Sequence, residues 1–596
     1  MLRAPVLRTR AVTRRIRAVA LRTRAANRRT RVIPPLARAA EPAKRDRRRV
    51  VLTPAAVLAV AVGAASLCGP PALAQTAAVP IEDTGPKPSL PAYVGKPATS
   101  EPLTAVSAAW QNPFMAADPG NSVHNDSWQS DDYTGISGPL GRDPQTLSTG
   151  IGRDCITLAF DHRGQLVSAC SDLTHGPGLY LLNPRTLATL AFMQLPYVPP
   201  PTGTDPALNT TGGAYFYLDN HDRIVLAASN DRILVIAIEQ HHGSPRFRKV
   251  ASYDPGPCLS PGDRIPSVLP DAQGRLWFVG RYQGAVGVLD PKTGRCRSVI
   301  LHQQIENSFA IGADGTYVVT DRAMYKFRAG RNLVPHEIWS ERYRNVGVQK
   351  IGQINAGSGT TPTLIGQLSP SPAAGARNAR TTPATAGARS AQPVDPAYVA
   401  IADNANPMDV VVYRAADRLR RGQHRVVCQV PVFRKNASAD ENSLVSMGPS
   451  LIVENNYGYD LQKWNDVIGG GIKIGGDLAL VSAPGMERID IDPDGEGCHV
   501  VWRNDTVRVP SAVTKGDAAN GLIYTYQKPK DPSGAGVWYW TAISYRTGRV
   551  VWQRVAGHGG LYNNHYSGIA LGRDPRTGRT TLYLGGVGGI VALRDR

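Results

Sequence analysis

The run Glu-Asn-Ser followed by an apolar residue occurs twice in this chain of 596 residues, at 306–309 and at 441–444. A carboxylate beside a side-chain amide can serve three kinds of chemistry. The oxygens suit a hard cation such as calcium, they hydrogen-bond the hydroxyls of a polar ligand, and the carboxylate can take a proton from a bound water. The second copy says more about architecture. Residues 440–460 read as two short strands, 444–447 and 451–454, joined by the turn Gly448-Pro449-Ser450. The open ends of a hairpin lie side by side. Glu441 and Asn442 are therefore expected on the same side of the sheet as Glu454, Asn455 and Asn456.

Residues of the same type start or finish other strands: Asn209, Asp321, Asp403, Asn404, Asn406, and Asn564 with His565. The metal set read from these positions is Glu306, Asn307, Asp403, Glu441 and Asn442, with calcium favoured. Asn404, Asn406, Glu454, Asn455 and Asn456 form the ligand-binding set, and Glu441 is the best candidate for a catalytic base. A purely local reading competes, because Asn and Asp also begin strands and cap turns for backbone reasons. The runs 124–126 and 558–565 contain histidines that could meet where a ring closes, and a His pair could bind metal or carry protons. There is no Gly-x-Ser-x-Gly elbow and no His-Glu-x-x-His motif, so serine-hydrolase and zinc-protease readings have no anchor.

The elements that must position these residues are short strands. No helical period of useful length follows residue 100; runs of Val, Ile, Leu, Tyr and Ala alternate with Gly, Asp, Asn and Pro turns. Hairpins recur with turns at 161–164, 219–222, 271–274, 313–315, 448–450 and 517–521. Two further pairs, 362–367 with 398–402 and 566–571 with 580–585, complete the series. Most are followed by a third strand, as at 179–186, 286–294 and 541–548, and then by a fourth such as 550–552. Four antiparallel strands per repeat is a propeller blade. The fold class is all-β: a single β-propeller, with eight four-stranded blades of about 56 residues over 153–596. Seven blades stay open as an alternative if the first or last unit is partial. The chain ends on the third strand of the eighth unit, so the segment 103–150 is expected to fold back and close the ring.

Outside the ring the composition changes. The first 49 residues hold 16 Arg and one Lys against Glu41 and Asp46, a balance of +15 out of the formal +20. Basicity thus belongs to a leader, and nucleic-acid binding by the folded part loses its support. The apolar run 50–67 and the small residues Ala72-Leu73-Ala74 resemble a signal peptide cleaved near Ala74, and Arg47-Arg48-Arg49 loosely fits a twin-arginine signal. The division is residues 1–74 as leader and signal, 75–99 as a Pro/Ala-rich tether, and 100–596 as the propeller. The propeller is interrupted by a disordered loop at 369–393 and a Gly-rich insertion at 464–484. The mature form is expected to be exported, periplasmic or extracellular, monomeric and without a membrane span. Six cysteines remain after Cys68, allowing 15 pairings. The repeat favours sequence neighbours, Cys155 with Cys170, Cys258 with Cys296 and Cys428 with Cys498, against the alternative of free buried thiols.

The Asp-led hairpins and the Glu and Asn residues at inner-strand starts resemble the regucalcin and gluconolactonase group of propellers. That resemblance implies a divalent metal held by Glu306, Asn307, Glu441, Asn442 and Asp403, and hydrolysis of lactones or related esters. The run 542–552, Ala-Ile-Ser-Tyr-Arg-Thr-Gly-Arg-Val-Val-Trp, is similar to the tryptophan-docking segment of quinoprotein propellers. It occurs once and without an adjacent-cysteine pair, so it implies an eight-bladed ring rather than a quinone cofactor. The leading functional expectation is a binding module for a small polar ligand, with calcium as a candidate cofactor. A metal-dependent lactonase or esterase, and a scaffold for an unknown protein partner, are the alternatives.

Overall fold

The Asp-led turns close their hairpins through their own side chains. Asp161 Oδ1 accepts the N–H groups of Arg163 (3.0 Å) and Gln165 (2.7 Å). Asp219 Oδ1 does the same for His221 and Arg223, both at 2.9 Å, and Asp271 Oδ1 for Gln273 and Arg275 at 2.9 and 3.0 Å. The last turn position is left-handed, with φ of 72° at Gly164, 54° at Asp222 and 76° at Gly274. That conformation favours Gly and tolerates Asp.

The computed structural model describes residues 77–596 apart from 105, 107, 118–119, 173, 201–208, 210, 369–394 and 460–481. The leader with its cleavage site, the loop 369–393 and residues 464–481 of the Gly-rich insertion lie outside the described residues. Eight antiparallel blades form the ring. Their innermost strands are Asp154–Phe160, Phe216–Leu218, Val268–Pro270, Ala310–Gly312, Thr363–Ile365, Val445–Met447, Lys515–Asp517 and Ala570–Arg573, in blades 1 to 8. Blade 8 takes its outer strand from the other end of the chain. Gln145–Gly150 pairs antiparallel with Gly589–Arg594, from Gln145 opposite Arg594 to Gly150 opposite Gly589. The protein is an eight-bladed β-propeller closed by its N-terminal segment. Its core is a set of layers between neighbouring blades. The largest of these joins blades 6, 7 and 8 around Tyr524, Tyr526, Trp538, Trp540 and Trp552, all of them buried.

Closure uses only the end of the segment 103–150. Residues 112–117 and 120–133 instead run through the axis of the ring, which sequence reasoning did not anticipate. Each innermost strand presents an unpaired edge of polar backbone groups, and buried edges must find partners. Here they find the axial segment. Phe160 N–H donates to Gly120 O (3.2 Å), Leu218 to Asn121 (2.9 Å), Ile311 to Ser127 (2.7 Å), Leu364 to Trp128 (2.9 Å), Ser446 to Ser130 (2.8 Å) and Gly516 to Asp131 (2.9 Å). Asn112 Nδ2 reaches Pro270 O in blade 3, and the Tyr133 hydroxyl accepts from Leu571 N–H in blade 8. Asp132–Tyr133 forms a short parallel pairing with Gly516–Asp517. Serving edges that radiate in all directions requires a coiled path, and Asn125, Gln129 and Asp131 all have left-handed φ, between 56° and 70°.

The segment 75–99, expected from composition to be a tether, is packed where it is described. Tyr93–Gly95 adds a strand to the outer edge of blade 7, opposite Trp552, Gln553 and Arg554. Gly150 N–H donates to Val79 O (2.6 Å), and Ile81 is buried. Its few apolar residues cover an otherwise open sheet edge. Three disulfides join Cys155 to Cys170, Cys258 to Cys296 and Cys428 to Cys498, as the repeat implies. They fit an oxidising compartment. Among the described residues no helix is long and apolar enough to cross a membrane.

Candidate functional site

A cavity of about 40 Å³ lies between the axial segment and the starts of the inner strands. It has room for about three waters. Its inner wall is Val123, His124, Thr361, Glu441, Asn442 and Ser443; the half-buried Asn209, Ala214, Tyr215, His565 and Tyr566 stand at its outer side. Both Glu-Asn-Ser copies sit just before innermost strands, those of blades 4 and 6, so the repeat delivers them to the same end of the channel.

Glu441 is the least satisfied group there. It is 5% exposed, and neither carboxyl oxygen makes a well-formed hydrogen bond, although the Ile354 N–H lies near enough to favour the ionised form somewhat. Burial first, and then the nearby Glu306 carboxylate, push its carboxyl well above the usual range. That direction favours the protonated carboxyl, which carries one donor and open acceptors. Its backbone is fixed, with its N–H donating to Asn456 Oδ1 at 2.8 Å. Glu306 is held by Arg281, whose Nη2 lies 2.8 Å from Oε1. Asn307 donates to Gly359 O (2.5 Å) and accepts from the Tyr215 hydroxyl (2.9 Å). Asn442 donates to Glu454 and to Ala512 O (3.2 Å), while its Oδ1 has no partner. Burial raises the Glu454 carboxyl to about 8, against the opposing hydrogen bonds from Thr514 and Asn442.

The hairpin reading thus brings Glu441, Asn442, Glu454 and Asn456 into one network. Asn455 belongs to the backbone behind it, donating to Ala437 O (2.8 Å) and accepting from Tyr457 N–H (3.1 Å). Blade 5 behaves differently, since Asp403, Asn404 and Asn406 do not line the cavity. Asp403 Oδ1 accepts from Ala405 N–H (2.9 Å) and Asp409 N–H (2.8 Å), and burial raises its carboxyl to about 7. Asn404 Nδ2 donates to Asn345 Oδ1 and Val348 O, both at 3.0 Å. Asn406 is exposed and pairs with Asn436. Asp403 does the local turn work that Asp does in many loops, while Asn404 and Asn406 tie this loop to residues 345–356 and to Asn436.

Sequence reasoning named His124 but missed the network around it: Asp131 of the axial segment, and Lys515, Ser443 and Thr361 of the blades. His124 Nδ1 faces both oxygens of Asp131, at 3.2 and 3.0 Å. The fully buried Lys515 ammonium donates to the same carboxylate and to Val123 O (2.5 Å). His124 Nε2 faces Ser443 Oγ at 3.3 Å and Thr361 Oγ1 at 3.4 Å. Of the three histidines in the runs 124–126 and 558–565, His124 and His565 line the cavity, with His565 Nδ1 2.6 Å from Asp154 Oδ2, while His558 sits against Thr84 and Asp83. The available signal was Ser443 itself, third residue of the repeated Glu-Asn-Ser, but its partner lies 319 positions away in sequence.

Fold and site together define the class: an eight-bladed β-propeller with a polar cavity at one end of a filled channel. No protein-family model and no curated protein matches the chain. Among solved structures it is similar to virginiamycin B lyase from Staphylococcus aureus in complex with quinupristin. The identity is 8%, with 76% of this chain and 100% of that one covered and a TM-score of 0.34. It is also similar to a streptogramin B lyase at 9% identity, with 76% and 96% covered and a TM-score of 0.32. A third likeness is to Sqt1 of Saccharomyces cerevisiae, at 8% identity with 63% and 92% covered and a TM-score of 0.30. At these scores the likenesses carry no argument about activity, and the architecture rests on the strand pairing above.

Proposed function

We propose that this propeller binds a small polar, uncharged molecule, or the hydroxyl- or carbonyl-bearing end of a larger one, in the cavity at Glu441. The observation that carries this reading is Glu441 itself: two buried carboxyl oxygens without a well-formed hydrogen bond, against a cavity wall. An unsatisfied buried polar group costs about 1–3 kcal/mol, and a ligand that pairs with it recovers that cost. In its protonated form, which burial favours, Glu441 donates one hydrogen bond, and Asn442 Oδ1 offers an open acceptor. Among the described residues the cationic side chains close by, Arg281 and Lys515, are engaged by Glu306 and Asp131, which favours uncharged ligands over anions.

The same oxygens, with Asn307, are of the type a divalent ion such as calcium takes. Asp403 would not contribute, and Glu306 would act only after leaving Arg281. Thermal unfolding with polyols, sugars and lactones, and separately with calcium and then chelator, tests both readings. A saturable shift by a neutral ligand, lost in Glu441→Ala, supports the first. A shift by calcium alone replaces it with the second, and no shift with any compound removes both. We further read the mature chain as exported and cleaved near Ala74, which N-terminal sequencing of the secreted protein checks.

A further inference from the structure

We propose that Ser443 is a nucleophile for short-chain carboxylic esters, activated by His124, which Asp131 positions. The inference rests on the reading of this cavity as a ligand site and assigns it a reaction. Asp131 faces Nδ1 with both oxygens, so the proton sits on Nδ1 and leaves Nε2 as an acceptor. Nε2 then faces the Ser443 hydroxyl at 3.3 Å, a loose contact of the kind that tightens only when substrate binds. Nucleophile, base and orienting carboxylate are recognised by geometry and not by order in the chain. The imidazole has little freedom: it is 3% exposed, and its ring centroid lies 6.2 Å from that of Tyr215. Lys515 supplies the counter-charge that holds Asp131 in place. Glu441, whose two buried carboxyl oxygens have open valences on the same wall, is in its protonated form the donor available to the oxygen that becomes negative when the carbonyl is attacked.

The reaction balances without a metal or redox partner. Ser443 Oγ bonds to the acyl carbon while its proton passes to His124 Nε2. The carbon–oxygen bond to the alcohol breaks, and the leaving alkoxide takes that proton. Water then adds to the acyl carbon, giving its proton to Nε2. The bond to Oγ breaks and the proton returns to Ser443, so ester and water become acid and alcohol. The size of the cavity sets the acyl group. Room for about three waters accepts a formyl or acetyl group and little more, with the alcohol towards Tyr215 and Tyr566.

Methanesulfonyl fluoride, whose methylsulfonyl group is of acetyl size, is the probe for the mature protein, with peptide mass mapping as the readout. The expected result is sulfonylation of Ser443, blocked by Ser443→Ala. His124→Gln and Asp131→Asn should each slow it at least 100-fold. Ser308→Ala, the serine of the other copy, which pairs with Ser267 away from the cavity, should leave it unchanged. With p-nitrophenyl acetate the same variants should lose turnover, and p-nitrophenyl hexanoate should be at least 10-fold slower. For Asp131→Asn, kcat should fall while KM stays within about twofold, a split that general loosening of the site would not give. No labelling at Ser443, or labelling at Thr361 instead, overturns the proposal. Polyol-induced thermal shifts, measured on the same sample, show separately whether the cavity still binds a ligand.

Discussion

Replacing Lys515 by Met tests whether the axial segment is held by charge. The ammonium is fully buried and donates to Asp131 and to Val123 O. Met keeps the chain length and removes the charge. Asp131 is then left as a buried carboxylate with His124 as its remaining side-chain contact. Breaking one side of a buried pair costs about 3–5 kcal/mol, and stranding the Val123 carbonyl places the sum in the upper half of that range. With an unfolding entropy of about 2.1 cal/mol/K per residue over roughly 450 described residues, each kcal/mol moves Tm by about 1 °C. Lys515→Met should therefore lower Tm by about 4–5 °C. Asp131→Asn in the same chain removes the stranded charge, and the double variant should recover about 2–3 kcal/mol of that loss. Calorimetry at fixed scan rate, with urea unfolding as a second measure, reads both values. A single variant within about 1 °C of the parent, or a double variant no better than the single, would refute the argument. The first result means that the pair is not buried, and the second that the loss comes from packing.

The remaining expectations concern acids, space and cross-links. Asp132 and Glu454 are both raised to about 8, by burial first. Each is protonated in the fold while the unfolded chain ionises near pH 4, so its contribution is complete below that pH. The contribution is lost at about 1.4 kcal/mol per unit as pH rises to about 8, and is constant beyond. Asp132→Asn should flatten the Tm–pH curve between pH 5 and 8, and a curve parallel to the parent's would be the wrong outcome. A Cβ at Gly359 would stand 2.1 Å from Asp440 O and 2.5 Å from Glu441 Oε2. Gly359→Ala should cost about 1–3 kcal/mol and abolish ligand-induced thermal shifts; retention of both would mean that the wall yields. Removing Cys428–Cys498, which closes 70 residues between the outer strands of blades 5 and 6, should cost about 4 kcal/mol, against about 3 for Cys155–Cys170 with its 15. Urea unfolding of the two double Cys→Ser variants gives the order, and the reverse order would show that native strain outweighs loop length.

What was legible in the sequence is what repeats. The Asp-led turns announce themselves because Asp161, Asp219 and Asp271 each solve the same backbone problem with the same side-chain atom. The blades, the closure by residues 145–150 and the cysteine pairs follow from that regularity. Glu306, Asn307, Glu441 and Asn442 stand out for the same reason, as two copies of one motif at equivalent places, and all but Glu306 line the cavity. Asp403, Asn404 and Asn406 carry the same chemistry by type. Nothing in their spacing distinguishes a side chain that faces the channel from one that ties backbone loops together. The axial segment was illegible because 112–133 has no strand period and no repeat. Its conformation is imposed by edges lying hundreds of residues away.

That imposed segment changes what the fold can do. An eight-bladed ring leaves an open axis, and an open axis holds water, in which carboxylates stay ionised and hydrogen bonds to a ligand are weak. With residues 120–133 lying on that axis, the cavity beside Glu441 is small, and burial there raises its carboxyl well above the usual range. The filling also brings chemistry that the repeat does not have. The blades supply amides and acids in several copies, whereas His124 and Asp131 arrive once and from one direction. The asymmetry of the site therefore comes from the N-terminal segment, not from divergence among blades. Excising 112–133 should then abolish both the relay and the raised carboxyl of Glu441. Their joint dependence on the segment separates this account from one in which the blades alone make the site.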